Sequence, residues 1–299
     1  MPTRCEIWAP AKLNLGLRVV RRRDDGYHDL ETLFVAIDLY DHLTFTKRIA
    51  GDVSLEARSS WDGRAPAGFP LGEQNLIVRA IRLIEQDCGI RASLSISIEK
   101  SIPIAAGLGG GSSDAAAALV ATARLYGLDL PQAQLTAWAQ QLGADVPFFL
   151  GTPIAEGRGR GDSLRPARLF SDWWVVLVCP PVFLSAKEVY GGLSLTSKAR
   201  RANFTNCRDR EGFLAALRRI QNDLEPIVIR LAPEISLWQG RLCEQGAAGV
   251  FVSGSGPTVF GVFMNQPPVQ AVQCLRESGT GVRVLVARPV GTPTALVVR

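Results

Sequence analysis

The chain predicts an α+β protein of two domains, a mixed α/β N-terminal domain built around a glycine-rich loop and a smaller α+β sandwich after it. Three observations predict this. A length of 299 residues is enough for two ordinary domains, each with its own core. Strand and helix periods alternate through the first half. A stretch rich in Gly, Arg and Pro, "GRGRGDSLRPARLFS" at 157–171, then separates that half from a fresh pattern opening on "WWVVLVCPP". The boundary is placed there, giving domains 1–165 and 166–299.

The elements follow in chain order. "ETLFVAIDLYDHLTFT" (31–46) is strand-like, and "NLIVRAIRLIEQDCG" (75–89) is amphipathic, with Leu76, Ile77, Ala80, Ile81 and Ile84 on one helical face. "LSISIE" (94–99) alternates with the period of a half-buried strand and runs into the loop. Beyond the loop, Ser/Asp cap chemistry and a run of strong helix formers predict a helix from near Ser112 to Gly127. A second helix spans 131–143, with Pro at its start and Gly143 at its end, and "ADVPFFL" reads as a turn into a buried segment. The second half carries helices near 211–221 and 233–246. Two β runs around a glycine-serine turn in "GVFVSGSGPTVFGVF" follow, then a last strand in "VRVLVARPV".

Bulk composition excludes several functions. Hydrophobic residues make up 47% and charged residues 20%, as in folded globular chains. The longest apolar run, from Trp173, is interrupted by prolines, so no membrane span is expected. The N-terminus lacks the apolar region of a signal peptide, and a cytoplasmic location is expected. Cysteines at 5, 88, 179, 207, 243 and 274 form no Cys-x-x-Cys pair, and two histidines cannot supply a His-x-x-x-His metal centre. A net charge of +5 fits small anionic substrates. The short arginine clusters lack interleaved aromatics and do not suggest nucleic acid. Lys12, Lys47, Lys100, Lys187 and Lys198 are the only lysines among 33 basic residues, so the lysine within "APAKLNLGL" invites a chemical reason.

The loop "IPIAAGLGGGSSDAAAALVA" (102–121) delivers glycine-rich backbone to a helix N-terminus, where N–H groups and the helix dipole favour an anion. It is neither a Walker loop, lacking Gly-Lys-[Ser/Thr], nor a dinucleotide fingerprint, lacking the last glycine. A flexible turn before a packing helix is the plain alternative. Three adjacent glycines followed by two hydroxyls favour phosphate, because a connector gains nothing from so much lost backbone entropy. Gly110 is the glycine expected to need a positive φ or close approach to phosphate. "SIEK" (97–100) matches Ser-x-x-Lys without its companion motifs and reads as chance.

"PIAAGLGGGSSDAAA" resembles the central motif of the GHMP kinases. "PAKLNLGLRVVRRRDDGYHDLETLF", "NLIVRA", "LGADVPFFL", "NDLEP" and "SGSGPTVFGVF" resemble that family's other segments in its order, nearly end to end. Three positions depart from the pattern: Gln74 stands for an acid, Val252 for a methionine and Ser185-Ala186 for Ser-Thr.

The resemblance implies a two-domain GHMP kinase fold and ATP-dependent phosphorylation of a small-molecule alcohol, with Mg²⁺ bridging the phosphates. The triple glycine with SSD implies a cytidine diphosphate methylerythritol acceptor. The nearest rivals are a homoserine- or mevalonate-type kinase and a non-catalytic nucleotide-binding protein on the same fold. The implied ATP cradle is Pro103, Ile104, Ala105, Ala106, Gly107, Leu108, Gly109, Gly110, Gly111, Ser112 and Ser113. Asp145 matches the family's catalytic acid, although a turn or helix-cap aspartate is its common local use. Lys12 matches the catalytic lysine, lying close to Asp145 and steadying charge on the transferring group. Asn14, two residues along, shares its strand face. Tyr27 and His28 match the pair that meets the cytosine, with Tyr190 as a second stacking wall. Ser253 to Thr258 resembles a third motif supporting the phosphate site.

Overall fold

The computed structural model describes residues 2–193, 207–264, 268–279, 281–292 and 294–299. Two long strands lead: β1 (Arg4–Arg22) and β2 (His28–Lys47) pair antiparallel. β3 (Ser54–Ser59), helix α1 (Leu76–Cys88) and β4 (Leu94–Lys100) follow, and β4 runs antiparallel to β2 and parallel to β3. Next come α2 (Gly110–Tyr126), α3 (Gln132–Leu142) and the single-turn α4 (Val146–Phe149). The Gly/Arg/Pro-rich stretch is largely β5 (Ile154–Gly159) and β6 (Ser163–Pro166), a hairpin whose first strand pairs with β2.

The second half contains β7 (Trp173–Cys179), α5 (Ala186–Gly191), α6 (Arg210–Leu217), α7 (Glu225–Leu231) and α8 (Glu234–Glu244). β8 (Gly249–Val252), β9 (Val259–Met264), α9 (Val269–Glu277), β10 (Arg283–Ala287) and β11 (Val297–Val298) complete it. Strands β10-β7-β9-β8 make a second, antiparallel sheet. β11 instead returns to the first sheet beside β1, with Ile7 opposite Val298. We propose a domain division near 165/166, at the end of β6, with β11 as an excursion into the first domain.

Three apolar clusters hold these layers together. One packs α1, α2 and Trp138 of α3 onto the first sheet, with four consecutive buried alanines, Ala115 to Ala118, letting α2 lie close to it. A second joins Leu13, Leu15, Val35 and Ile37 of the first sheet to Trp173, Val175, Leu177 and Phe260 of the second. The third lies under α7, α8 and α9. Two of those helices, α7 and α9, escape the sequence reading: α7 is only seven residues long, and α9 follows the proline pair Pro267-Pro268.

Candidate active site

Beside Lys12, β1 has two neighbours: β2 on one edge and the glycine loop on the other. The Lys12 N–H donates to the Leu108 carbonyl at 2.8 Å, which fixes the loop against the strand. Between Asn14 and Leu17 the register against β2 slips by one residue, and Gly16 there has φ +82°. Such a bulge re-aims the side chains around it. It also turns the Gly16 carbonyl toward Thr32, whose hydroxyl donates to it at 2.7 Å and accepts from Asn14 Nδ2 at 3.0 Å. Asn14 thereby presents Oδ1 to the Lys12 ammonium, which donates to it. Asn14 and Lys12 therefore share a face, as the strand period predicts.

Lys12 Nζ lies 3.4 Å from Asp145 Oδ2, the lysine side chain 5% exposed and the aspartate 34%. The Lys12 head is thus buried rather than wet. Asp145 occupies the N-cap position of α4, yet its side chain caps nothing and its own backbone is helical (φ −85°, ψ −16°). Its carboxylate is spent on Lys12 instead of on the helix, against the common local use.

The loop holds two left-handed glycines, at Gly107 (φ +77°) and Gly109 (φ +71°). Gly110, expected to need either a positive φ or close approach to phosphate, is the first residue of α2 with ordinary helical backbone, and the helix starts two residues before Ser112. The positive φ is corrected: the left-handed turn is made by Gly109, the glycine just before the helix. A Cβ on Gly109 would stand 2.8 Å from Lys12 Cγ and 3.1 Å from Phe149 Cζ. One on Gly107 would stand 2.4 Å from the Ser253 carbonyl oxygen. Ala105 adds a positive φ of 54° without being glycine. Gly109 is the N-cap of α2 and has no side chain to satisfy the first N–H groups, which stay open to an anion.

The turn between β8 and β9 closes over this loop. Ser253 Oγ donates to the Gly107 carbonyl at 3.1 Å and accepts from the Asn14 N–H at 3.4 Å. Gly254 (φ +59°) passes so close that a Cβ there would lie 2.9 Å from Asn14 Oδ1 and 3.5 Å from Lys12 Nζ. Asn222 holds that turn, donating to the carbonyls of Val252 (2.9 Å) and Gly254 (2.7 Å). Its neighbour Asp223 accepts the Val19 N–H at 2.8 Å. The "NDLEP" segment is therefore a tie between β1 and the second sheet. Gly254 falls within the Ser253 to Thr258 turn expected to support the phosphate site, whereas Thr32 and Asn222 were not among the expected site residues. Only the "NDLEP" segment offered a signal for Asn222.

Tyr27, His28 and Tyr190 lie differently. His28 and Tyr190 stack on each other, ring centroids 5.2 Å apart and planes 24° from parallel. Tyr27, 56% exposed, lies under the Arg160 guanidinium, 5.3 Å from the ring centroid, at the tip of the β5–β6 hairpin. Among the described residues its ring makes no aromatic pair. Burial, reinforced by the Asp145 charge, pushes the Tyr190 hydroxyl above the usual phenol range. Burial and then Arg22 hold His28 below the usual imidazole value, so the ring is neutral at pH 7. Ser185, at the departure from Ser-Thr, caps α5 in a capping box with Glu188, so its hydroxyl serves the helix that carries Tyr190.

Comparison with known proteins agrees with this geometry. The family model described as the GHMP kinases N terminal domain matches residues 75–152, and that of the GHMP kinases C terminal matches 200–281. The 4-diphosphocytidyl-2-C-methyl-D-erythritol kinase of Shouchella clausii is 35% identical, over 92% of this chain and 95% of its own. That of Syntrophus aciditrophicus is 39% identical, over 92% and 96%. The crystal structure of a 4-(cytidine 5'-diphospho)-2C-methyl-D-erythritol kinase superposes with a TM-score of 0.78 at 34% identity, over 96% of this chain and all of that one. A homoserine kinase from Cytophaga hutchinsonii reaches 0.76 at 20% identity, over 100% and 98%, a likeness of fold alone. The chain belongs to the 4-diphosphocytidyl-2-C-methyl-D-erythritol kinases of the GHMP kinase superfamily.

Proposed function

We propose that this chain transfers the γ-phosphoryl group of ATP to the 2-hydroxyl of 4-diphosphocytidyl-2-C-methyl-D-erythritol, giving the 2-phosphate, in the non-mevalonate route to isoprenoid precursors. One observation carries the chemistry: a carboxylate free of helix capping, 3.4 Å from a buried ammonium, on the flank of a glycine loop whose helix N-terminus is uncapped by any side chain.

Phosphoryl transfer asks for positioning and charge neutralisation, with a group to take the hydroxyl proton. Residues 103–113 cradle the phosphates through backbone N–H groups. Asp145 accepts the proton of the attacking hydroxyl, and Lys12 steadies charge on the transferring group. Asn14, anchored by Thr32, keeps the Lys12 ammonium turned to the site. His28, neutral at pH 7, retains both a donor and an acceptor nitrogen for the polar edge of cytosine. Tyr190 and Tyr27 offer ring faces for stacking.

Mg²⁺ would enter with ATP. Among the described residues no three His, Cys, Asp or Glu side chains form a cation cage. The buried Ser113 hydroxyl, without a partner on the first turn of α2, and the uncapped Asp145 fit an ion held chiefly by phosphate oxygens and water. When bound, it neutralises phosphate charge.

A coupled ADP-release assay tests the acceptor by offering the cytidylyl substrate, mevalonate and homoserine side by side. Turnover is expected with the first alone. Comparable turnover with either of the others would overturn the assignment.

A further inference from the structure

Beneath the glycine loop lies a charge cluster that the mechanism leaves unused. Lys100 ends β4, and its ammonium is enclosed with Asp41 of β2 and Asp114 of α2, the three side chains 5%, 0% and 1% exposed. Burying charges is costly unless geometry and further hydrogen bonds repay it. Here they do. Lys100 Nζ donates to Asp114 Oδ2 at 2.7 Å and also to Asp41 Oδ2. The other Asp41 oxygen accepts the N–H groups of Ser101 at 2.7 Å and Ile102 at 2.9 Å.

The position of these bonds matters more than their number. The β2–β4 ladder stops at the pair His42–Glu99, one residue short of Lys100. Asp41 therefore catches the chain as it leaves the sheet, at the leading end of the loop. Asp114 is the fifth residue of α2, at the trailing end. A Cβ on Gly110 would stand 3.0 Å from Ile102 Cγ2 and 3.4 Å from Asp41 Oδ2, so the two ends meet at one neck. Burial pushes the Asp114 carboxyl above the usual carboxylate range, with Lys100 opposing the shift and Asp41 adding to it.

We propose that Lys100, Asp41 and Asp114 form a positioning brace that fixes the width of the phosphate loop and thereby sets the affinity for ATP without touching it. The inference rests on the reading of residues 103–113 as the phosphate cradle. Lys100 would then be kept as lysine because one ammonium on a flexible stem serves two carboxylates at once.

The test is steady-state kinetics on full-length variants whose fold is checked by circular dichroism. Lys100→Met keeps the stem and removes the bridge, and should raise the ATP KM about tenfold, as a small misplacement does, with the cytidylyl-substrate KM almost unmoved. Asp114→Ala should act in the same direction. Asp114→Asn keeps an acceptor for Lys100 at equal volume and should restore near-wild-type ATP KM. If Lys100→Met does not fold, the Asp114 pair decides. An unchanged ATP KM in Asp114→Ala, equal damage in Asp114→Asn, or both KM values rising together would overturn the brace. Gly109→Ala in the same assay separates the two levels. If it fails to raise the ATP KM, the cradle reading itself falls and the brace with it; if it raises the KM and the brace variants do not, only the brace falls.

Discussion

The phosphate side of the site and the base side are built by opposite means. Around Lys12, Asn14, Gly107 and Gly254, side chains and backbone are tied to one another and approach so closely that a single methyl group does not fit. Around Tyr27, His28 and Tyr190 the rings rest on each other, on Arg160 or in solvent. On the proposed roles of Lys12 and Asp145, the transfer site is thus formed before any ligand arrives, as electrostatic preorganisation requires. In the function proposed above, recognition of the base falls to side chains whose own stack is replaced by the ligand's. Within one superfamily this lets acceptors change at the rim without rebuilding the phosphate machinery.

The sharpest break in that comparison is Asp145→Asn, which removes the proton acceptor at nearly constant volume. Turnover should fall by about 10²–10⁴-fold with the fold intact by circular dichroism. Turnover within a few-fold of wild type would remove Asp145 from the chemistry.

Gly107→Ala should come next, because its Cβ would press on the Ser253 carbonyl and its φ of +77° is strained for alanine. Backbone strain alone costs about 1–3 kcal/mol. ATP KM should rise and the melting temperature fall, by more than in Gly110→Ala, whose backbone is helical. If Gly110→Ala does as much damage as Gly107→Ala, the tight approach to the second sheet is not what shapes the loop.

The rim should respond selectively. Tyr190→Ala or Tyr27→Ala should remove about 1–3 kcal/mol of base binding, raising the KM for the cytidylyl substrate while that for ATP hardly moves. Of the two, Tyr190 should matter more, since it is already packed against His28. His28→Ala should discriminate less between cytidine and uridine forms of the substrate, and retention of the full preference would refute its role.

The smallest effect is one of pH. The folded-state proton affinity of His28 is lowered, so its neutral form is favoured on folding. Its contribution to stability is present above the unfolded imidazole value of about 6.5 and declines as pH falls through it. The KM for the cytidylyl substrate should likewise rise on acidification in the wild type and lose that component in His28→Ala. An identical pH profile for the two proteins would show that imidazole charge plays no part.

The sequence was legible where local pattern and tertiary need coincide. The strand over 94–99 and the amphipathic α1 follow their periods, because each buries the face its pattern marks, and the helix after the loop, buried nearly all round, follows its run of strong helix formers. The hairpin of β5 and β6 was hidden, since its Gly157, Gly159 and Gly161 read as breakers. Yet Gly157 is required by packing: a Cβ there would stand 2.6 Å from the Phe34 ring. In the candidate site, residues with distinctive chemistry, Lys12 and Asp145, were visible by type and motif. Thr32 and Asn222 were not, because a buried hydroxyl or amide gains its purpose from a partner far along the chain. Lys100 stood out only as one of five lysines and as a chance motif match, and its two carboxylate neighbours became apparent only with the topology.

The Asn14–Ser253 contact spans 239 positions and the Ser253–Gly107 contact 146. Contacts of that range form slowly, since a long loop must close before the contact repays it. On the way from unfolded chain to enzyme, helices α1 and α2 can form early on local contacts, whereas the junction that joins strand, loop and distant turn must come late. In refolding experiments, regained turnover should therefore lag behind regained helical ellipticity. A population with native-like spectra and no activity is the state to expect in between.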